Sequence, residues 1–168
     1  MGYRFTIRSA RVCEVIGPRE SATRAARRLA AEKALEVALR VSSGCVLGAD
    51  TIVVVDGVIL GKPSNITDAR RMLRLLSGRS HRVITGLALA EARTLQVTSA
   101  HSSTIVTFRQ LTSREIDWYV STGDPMDKAG AYGIQGGAGL FVTAIRGSYS
   151  NVVGLPLELV GRLLGLPR

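Results

Sequence analysis

One stretch constrains the fold of this chain more than any other: GADTIVVVDGVILGKP, Gly48 to Pro63. Cys45 to Val55 is a nearly continuous apolar run, the pattern of a central strand covered on both faces. Asp56-Gly57 follows, the dipeptide that most strongly marks a two-residue hairpin, and Val58 to Leu60 reads as the return strand. A chain with this segment must build a sheet in which a core strand is followed at once by an antiparallel partner. Yet a carboxylate, Asp50, interrupts the core strand, and an ammonium, Lys62, stands just beyond the return strand. A lone carboxylate in such a place costs several kcal/mol unless it is paired or metal-bound.

The flanking sequence supplies the layers for this sheet. Ser21 to Val41 has Ala22, Ala26, Leu29, Ala30, Val37, Ala38 and Val41 on one face at helical spacing, and Gly44 ends the helix. Lys33 falls on the same apolar face. Its ammonium either snorkels to the edge or reaches a buried anion. Before the helix, Phe5 to Val15 alternates loosely and reads as extended, with Pro18 as a break. Thr67 caps a helix from Asp68 to Leu76 that Gly78 ends. Arg82 to Glu91 and Leu95 to Phe108 have the β-branched density of two strands around a turn. Thr112 and Glu115 form a capping box for a helix to about Val120, with Gly123 and Pro125 as stops. Asp127 to Phe141, DKAGAYGIQGGAGLF, and GSYSNVVGLP after it are glycine-punctuated loops. Leu157 to Leu164 reads as a short closing helix. Helices alternate with strands, so the class is α/β, with a mixed sheet expected. The 168 residues carry no linker or repeat and read as a single domain.

Hydrophobic residues make up 46% of the chain and charged residues 21%, which supports a packed core and argues against disorder. No apolar run is long enough to cross a bilayer, and the first residues lack the apolar centre of a signal peptide. A cytoplasmic protein without a membrane partner is therefore expected. Cys13 and Cys45 lack metal-ligand spacing and read as reduced packing thiols. The formal net charge of +9 points to nucleic acid or to a polyphosphate. Aromatics are only 5%, with no basic stripe interleaved with them, so no nucleic-acid partner is expected. A basic nucleic-acid-binding domain would rest on charge alone.

The lysines say more. Of the 22 basic residues only three are lysines: Lys33, Lys62 and Lys128. Arginine serves wherever a generic positive charge suffices. Either this is chance, or the lysines stand where a compact ammonium matters. Asp50 in a core strand, Lys33 on an apolar helix face, Lys62 beyond a hairpin and Asp127-Lys128 opening a glycine-rich loop together fit a Mg²⁺-polyphosphate site. Carboxylates bind the hard cation, lysines neutralise phosphate oxygens, and glycines allow close backbone approach. Structural ion pairs would use the same residue types.

GADTIVVVDGVILGKP, DARRMLRLLSGRSHRVITGLAL and DKAGAYGIQGGAGLFVTAIRGSYSNVVGLPLELV resemble blocks of the Maf family of nucleoside triphosphate pyrophosphatases, and the resemblance runs from Phe5 to Leu164. It implies a two-lobed α/β fold on a long, curved mixed β-sheet flanked by helices, with the site in a cleft between the lobes. It implies hydrolysis of a nucleoside triphosphate between the α- and β-phosphates with Mg²⁺ or another divalent cation, and a homodimer. Asp50 matches the family's catalytic carboxylate. Glu14, in RVCEV, matches an acidic residue that helps hold the metal together with Asp50. Lys33 and Lys62 match triphosphate-binding lysines. Thr51 and Gln135 match family members that prefer dTTP and UTP. A Gln amide offers a donor and an acceptor to the O4 and N3–H edge of a pyrimidine. Asp127, Lys128, Tyr132, Asn151 and His81 lie in matching blocks and read as loop architecture or core rather than chemistry.

One family feature is absent from these residues. Members usually begin with a strand and a Ser-x-Ser-Pro-Arg-Arg stretch that binds triphosphate, whereas MGYRF matches the segment after it. The expectation is a longer natural chain with a misassigned start, a true truncation being the other explanation. The main reading is a pyrophosphatase acting on dTTP and UTP, and on modified pyrimidine nucleotides. The rival is a catalytically weak nucleotide-binding regulator of cell division and septum formation.

Overall fold

A computed structural model describes residues 4–165. The expected hairpin is present: β1 (Cys45–Val55) turns through Asp56 and Gly57 into β2 (Val58–Leu60). Both turn residues have positive φ, 48° and 79°, as a two-residue turn that matches strand twist requires. The other elements are α1 (Ala22–Ala38), α2 (Ile66–Leu76), β3 (Ser80–Glu91), β4 (Val97–Phe108), α3 (Ser113–Ser121), β5 (Val142–Arg146), α4 (Tyr149–Val153) and α5 (Leu157–Leu163). Short 3₁₀ turns at Asp124–Asp127, Ala129–Ala131 and Gly137–Phe141 fill the glycine-rich segment. Among the described residues no helix is long and apolar enough to cross a membrane.

The α/β class and the flanking helices are as expected, but the strand directions are not. The sheet order is β2-β1-β3-β4-β5, and every neighbouring pair among the described residues is antiparallel. The expected mixed sheet came from alternating strands and helices. Here the hairpin reverses the chain before α2 begins. Helix α2 therefore links two strands of the same direction, β2 and β3, that are separated by β1 rather than paired. The other strand-to-strand connection without a helix, from β3 to β4, is a hairpin.

Three local readings also change. Residues 4–20 contain no helix or strand, and Phe5 and Ile7 are 81% and 85% exposed; an alternating pattern does not make a strand without an edge to pair with. The segment instead runs beside α1, where Arg28 donates to the Val15 carbonyl and Arg40 to that of Ser9. Helix α2 starts two residues earlier than Asp68, capped by Asn65, whose side chain accepts from the Asp68 N–H at 2.9 Å. Cys13 and Cys45 are exposed free thiols rather than packing residues. Cys45 opens a strand whose first residues are only partly covered, so the burial expected along the whole of β1 holds from Ile52 onward.

The two faces of the sheet are packed differently. On one, Ala25, Ala26, Ala30 and Ala34 of α1 lie against β1 and β3. A Cβ at Gly86 would meet the Ala26 carbonyl oxygen at 2.2 Å, and one at Gly48 the Ala30 oxygen at 2.4 Å. Glycine at these two positions lets the helix backbone rest directly on the strands. On the other face, Val53, Val55, Val83, Val106 and Phe108 pack against Leu73, Leu76, Ile116, Tyr119 and Phe141. At about 1.5–3 kcal/mol for each large apolar side chain, this second layer is the larger source of stability.

Candidate active site

Strand alternation puts Asp50 on the α1 face, with Ile52 and Val54. The close seat of α1 brings Lys33 down onto it. Lys33 Nζ lies 2.5 Å from Asp50 Oδ1 and 2.7 Å from Glu14 Oε1. Glu14 Oε2 in turn accepts from Lys62 Nζ at 2.7 Å. Asp50, Lys33, Glu14 and Lys62 thus alternate in charge across the strand, the helix, the entering segment and the end of the hairpin. The lysine on the apolar helix face does reach a buried anion.

Burial sets the titration of the pair. Asp50 is 8% exposed. Desolvation raises its pKa above the usual carboxylate range, and the attraction of Lys33 only partly offsets it. Burial opposes the charge of Lys33, but its hydrogen bonds to Asp50 and Glu14 outweigh this and raise its pKa. For Glu14, partial burial raises the pKa and the two lysines more than compensate, so the net direction is down. Among the described residues the second oxygen of Asp50 takes no protein hydrogen bond, so it remains available as an acceptor.

The opposite wall is the glycine-rich segment. Gly130 donates to the Gly61 carbonyl at 2.9 Å, which ties this wall to the end of the hairpin next to Lys62. Gly130 has φ +70°, and a Cβ there would press on Val53 at 3.0 Å, so the junction requires glycine. Tyr119 holds the segment from beneath: its hydroxyl donates to Asp124 Oδ2 at 2.8 Å and accepts from the Gly133 N–H at 3.0 Å. Lys128 pairs with Asp127 at 2.6 Å and approaches Asp124 at 3.7 Å. Tyr132 is anchored by His81, whose Nε2 lies 2.7 Å from the tyrosine oxygen. His81 is buried and packs edge-on to Phe108 and Tyr132. Desolvation lowers its pKa to about 4, so it is a neutral structural group, as expected.

Between the walls is a cleft of about 750 Å³. Asp50, Thr51, Glu14, Lys33, Lys62 and Gln135, the six residues singled out from the sequence, all line it. So does Lys128, which means that all three lysines of the chain face one cavity. Gln135 is exposed there and makes no protein hydrogen bond among the described residues. Asp124, Tyr119 and Thr85 were not anticipated. Asp124 sat among residues read only as helix stops, and Tyr119 and Thr85 matter through partners distant in sequence.

No group of three or more His, Cys, Asp or Glu that could hold a metal ion is found among the described residues. Asp50 and Glu14 nonetheless converge on one cation, the Lys33 ammonium. Two carboxylates meeting on one cation are oxygen donors of the kind a hard cation such as Mg²⁺ takes.

The chain is also similar in sequence to known proteins. The sequence model of the Maf family, described as Maf-like protein, matches residues 1–166. The chain is 47% identical to the dTTP/UTP pyrophosphatase of Moorella thermoacetica over 166 residues, covering 99% of this chain and 86% of the relative. It is 54% identical over 137 residues to a protein of the same name from Symbiobacterium thermophilum, covering 82% of this chain and 70% of that one. A third of that name, from Thermococcus gammatolerans, is 54% identical over 136 residues, 80% and 71% of the two chains.

Proposed function

The chain belongs to the Maf family, and we propose that it is a nucleoside triphosphate pyrophosphatase that hydrolyses dTTP and UTP to the monophosphate and pyrophosphate. Relatives about half identical to it carry that name. The observation that carries the reading is the convergence of Lys33, Lys62 and Lys128 with Asp50 on one cleft, in a chain that otherwise uses arginine for positive charge.

Lys62 and Lys128, on facing walls, are placed to neutralise phosphate oxygens. Lys33 would hold Asp50 in position and share its charge with the substrate. The free oxygen of Asp50 would accept a proton from a water molecule. The water oxygen then forms a bond to the α-phosphorus as the α–β phosphoanhydride bond breaks, and pyrophosphate leaves with the bonding electrons. A carboxylate whose pKa burial has raised is a stronger base than an exposed one, and activity should rise with pH as Asp50 deprotonates. Mg²⁺ or another divalent cation held by Asp50 and Glu14 would supply further neutralisation of the phosphate charge. Gln135 and Thr51 would meet the base. A cytoplasmic location, a homodimer and action on modified pyrimidine nucleotides belong to the same proposal and rest on the family resemblance.

The test is product analysis with dTTP, UTP, CTP, ATP and GTP in Mg²⁺ buffer. Monophosphate and pyrophosphate from dTTP and UTP first among the five is the expected result. Diphosphate with orthophosphate, or no turnover by a folded sample, would contradict it.

A further inference from the structure

On the sheet face opposite Asp50, a buried chain of hydroxyl and amide groups leads from Thr51 to residues the mechanism does not use. Thr51 and Thr85 are directly paired across β1 and β3, and their hydroxyl oxygens are 2.9 Å apart. Thr85 is fully buried, and its oxygen also lies 3.0 Å from the backbone carbonyl oxygen of Asn151. A carbonyl can only accept. The single Thr85 proton therefore belongs to Asn151, the Thr85 oxygen accepts, and Thr51 donates. The reverse order would press the Thr85 and Asn151 oxygens lone pair to lone pair between two fully buried residues.

Asn151 cannot move away. Its side chain is fully buried, and its Nδ2 donates to the Val83 carbonyl at 2.9 Å and to the Thr104 hydroxyl at 3.0 Å. The other end of the chain is open. Thr51 lines the cleft, and Gly154 stands over its hydroxyl: a Cβ there would lie 3.3 Å from Thr51 Oγ1. With its proton committed to Thr85, Thr51 has only lone pairs to offer.

We propose that Thr85 and Asn151 fix the polarity of Thr51, so that it presents an acceptor to the cleft and selects the imide N3–H of uracil or thymine over cytosine, whose N3 carries a lone pair. This deepens the functional reading above and rests on it. Thr85 and Asn151 are positioning residues, acting through Thr51.

The test is kcat/KM for UTP and CTP, with melting temperature as a control, in the native chain and in Thr85→Val and Thr51→Val. Thr85→Val keeps the shape but frees the Thr51 hydroxyl to donate. The UTP-to-CTP ratio should fall by about tenfold, the worth of one good hydrogen bond, chiefly through a gain on CTP. Thr51→Val should lower the ratio by a similar factor through a loss on UTP. An unchanged ratio in Thr85→Val, with both substrates slowed equally, would make Thr85 merely structural and overturn the inference. If that variant does not fold, an unchanged ratio in Thr51→Val overturns it instead. A native chain that turns over UTP and CTP alike defeats the inference and the preference for UTP, and leaves only the pyrophosphatase reaction standing. One that turns over neither defeats both.

Discussion

Asp50 and Thr51 are consecutive residues of β1, and the fold treats them in opposite ways. Asp50 faces α1, where Gly48 and Gly86 let the helix backbone touch the sheet and a lysine reaches down to meet it. Thr51 faces the larger apolar layer, where a neutral hydroxyl is tied into hydrogen bonds that end on Asn151. A strand with side chains alternating between two environments can thus place a charge and a neutral recognition group at one cleft, 1 residue apart along the chain. The charged face suits phosphate, and the neutral face suits a base.

The largest effect expected from disturbing this division is on the charged face. Lys33→Met leaves Asp50 buried without its cation, so its already raised pKa rises further. The carboxyl then ionises less readily and is a poorer base at neutral pH. kcat/KM should fall by about a thousandfold, within the usual range for loss of general-base catalysis, and part of the activity should return at higher pH. A pH–rate profile of the variant checks both points.

Next comes a pH effect on the neutral face. His81 stays neutral in the folded chain down to about pH 4, against an ordinary value of 6.5. Below 6.5 the unfolded chain takes up a proton that the folded chain refuses. Stability is therefore fully present above that pH and is lost as the pH falls from 6.5 towards 4, by about 3 kcal/mol. Urea midpoints across this window measure the slope, and His81→Gln should flatten it.

Gly86→Ala tests the close seat of α1. A methyl group placed 2.2 Å from the Ala26 oxygen must push the helix away. A loss of about 2 kcal/mol is expected, or roughly 4–8 °C in melting temperature, together with weakened catalysis as Lys33 is lifted from Asp50. The smallest effect is that of Lys62→Ala. This side chain is half exposed, so stability should change by less than about 1 kcal/mol. KM for the triphosphate should rise about tenfold through the lost charged hydrogen bond.

Much of the charged face was legible in the sequence because it breaks patterns. Asp50 interrupts an apolar strand, Lys33 interrupts the apolar face of a helix, and the scarcity of lysine marks Lys62 and Lys128. Each anomaly has a cost that only a partner removes, so the partner could be expected. The neutral face was less legible, since Thr85 in a β-rich run and Tyr119 in a helix break no pattern. Their importance comes from contacts with Asn151 and Gly133, 66 and 14 residues away, which depend on how the chain folds back. Strand direction was misread for a related reason. Alternation of strands and helices does not reveal that the short β2 reverses the chain before α2. Glu14 was expected as a metal ligand from the resemblance. That both of its oxygens engage lysines depends on the path of residues 4–20, which form no regular element.

The most direct measurement of the central claim is pyrophosphate release from dTTP and UTP by the native chain and by Asp50→Asn, side by side, with Mg²⁺. The substitution keeps the shape and removes the base. Turnover by the native chain that falls by roughly a thousandfold in the variant, with melting unchanged or raised, is the expected result. A variant that retains most of the native rate would contradict the assignment of Asp50 as the group that activates water.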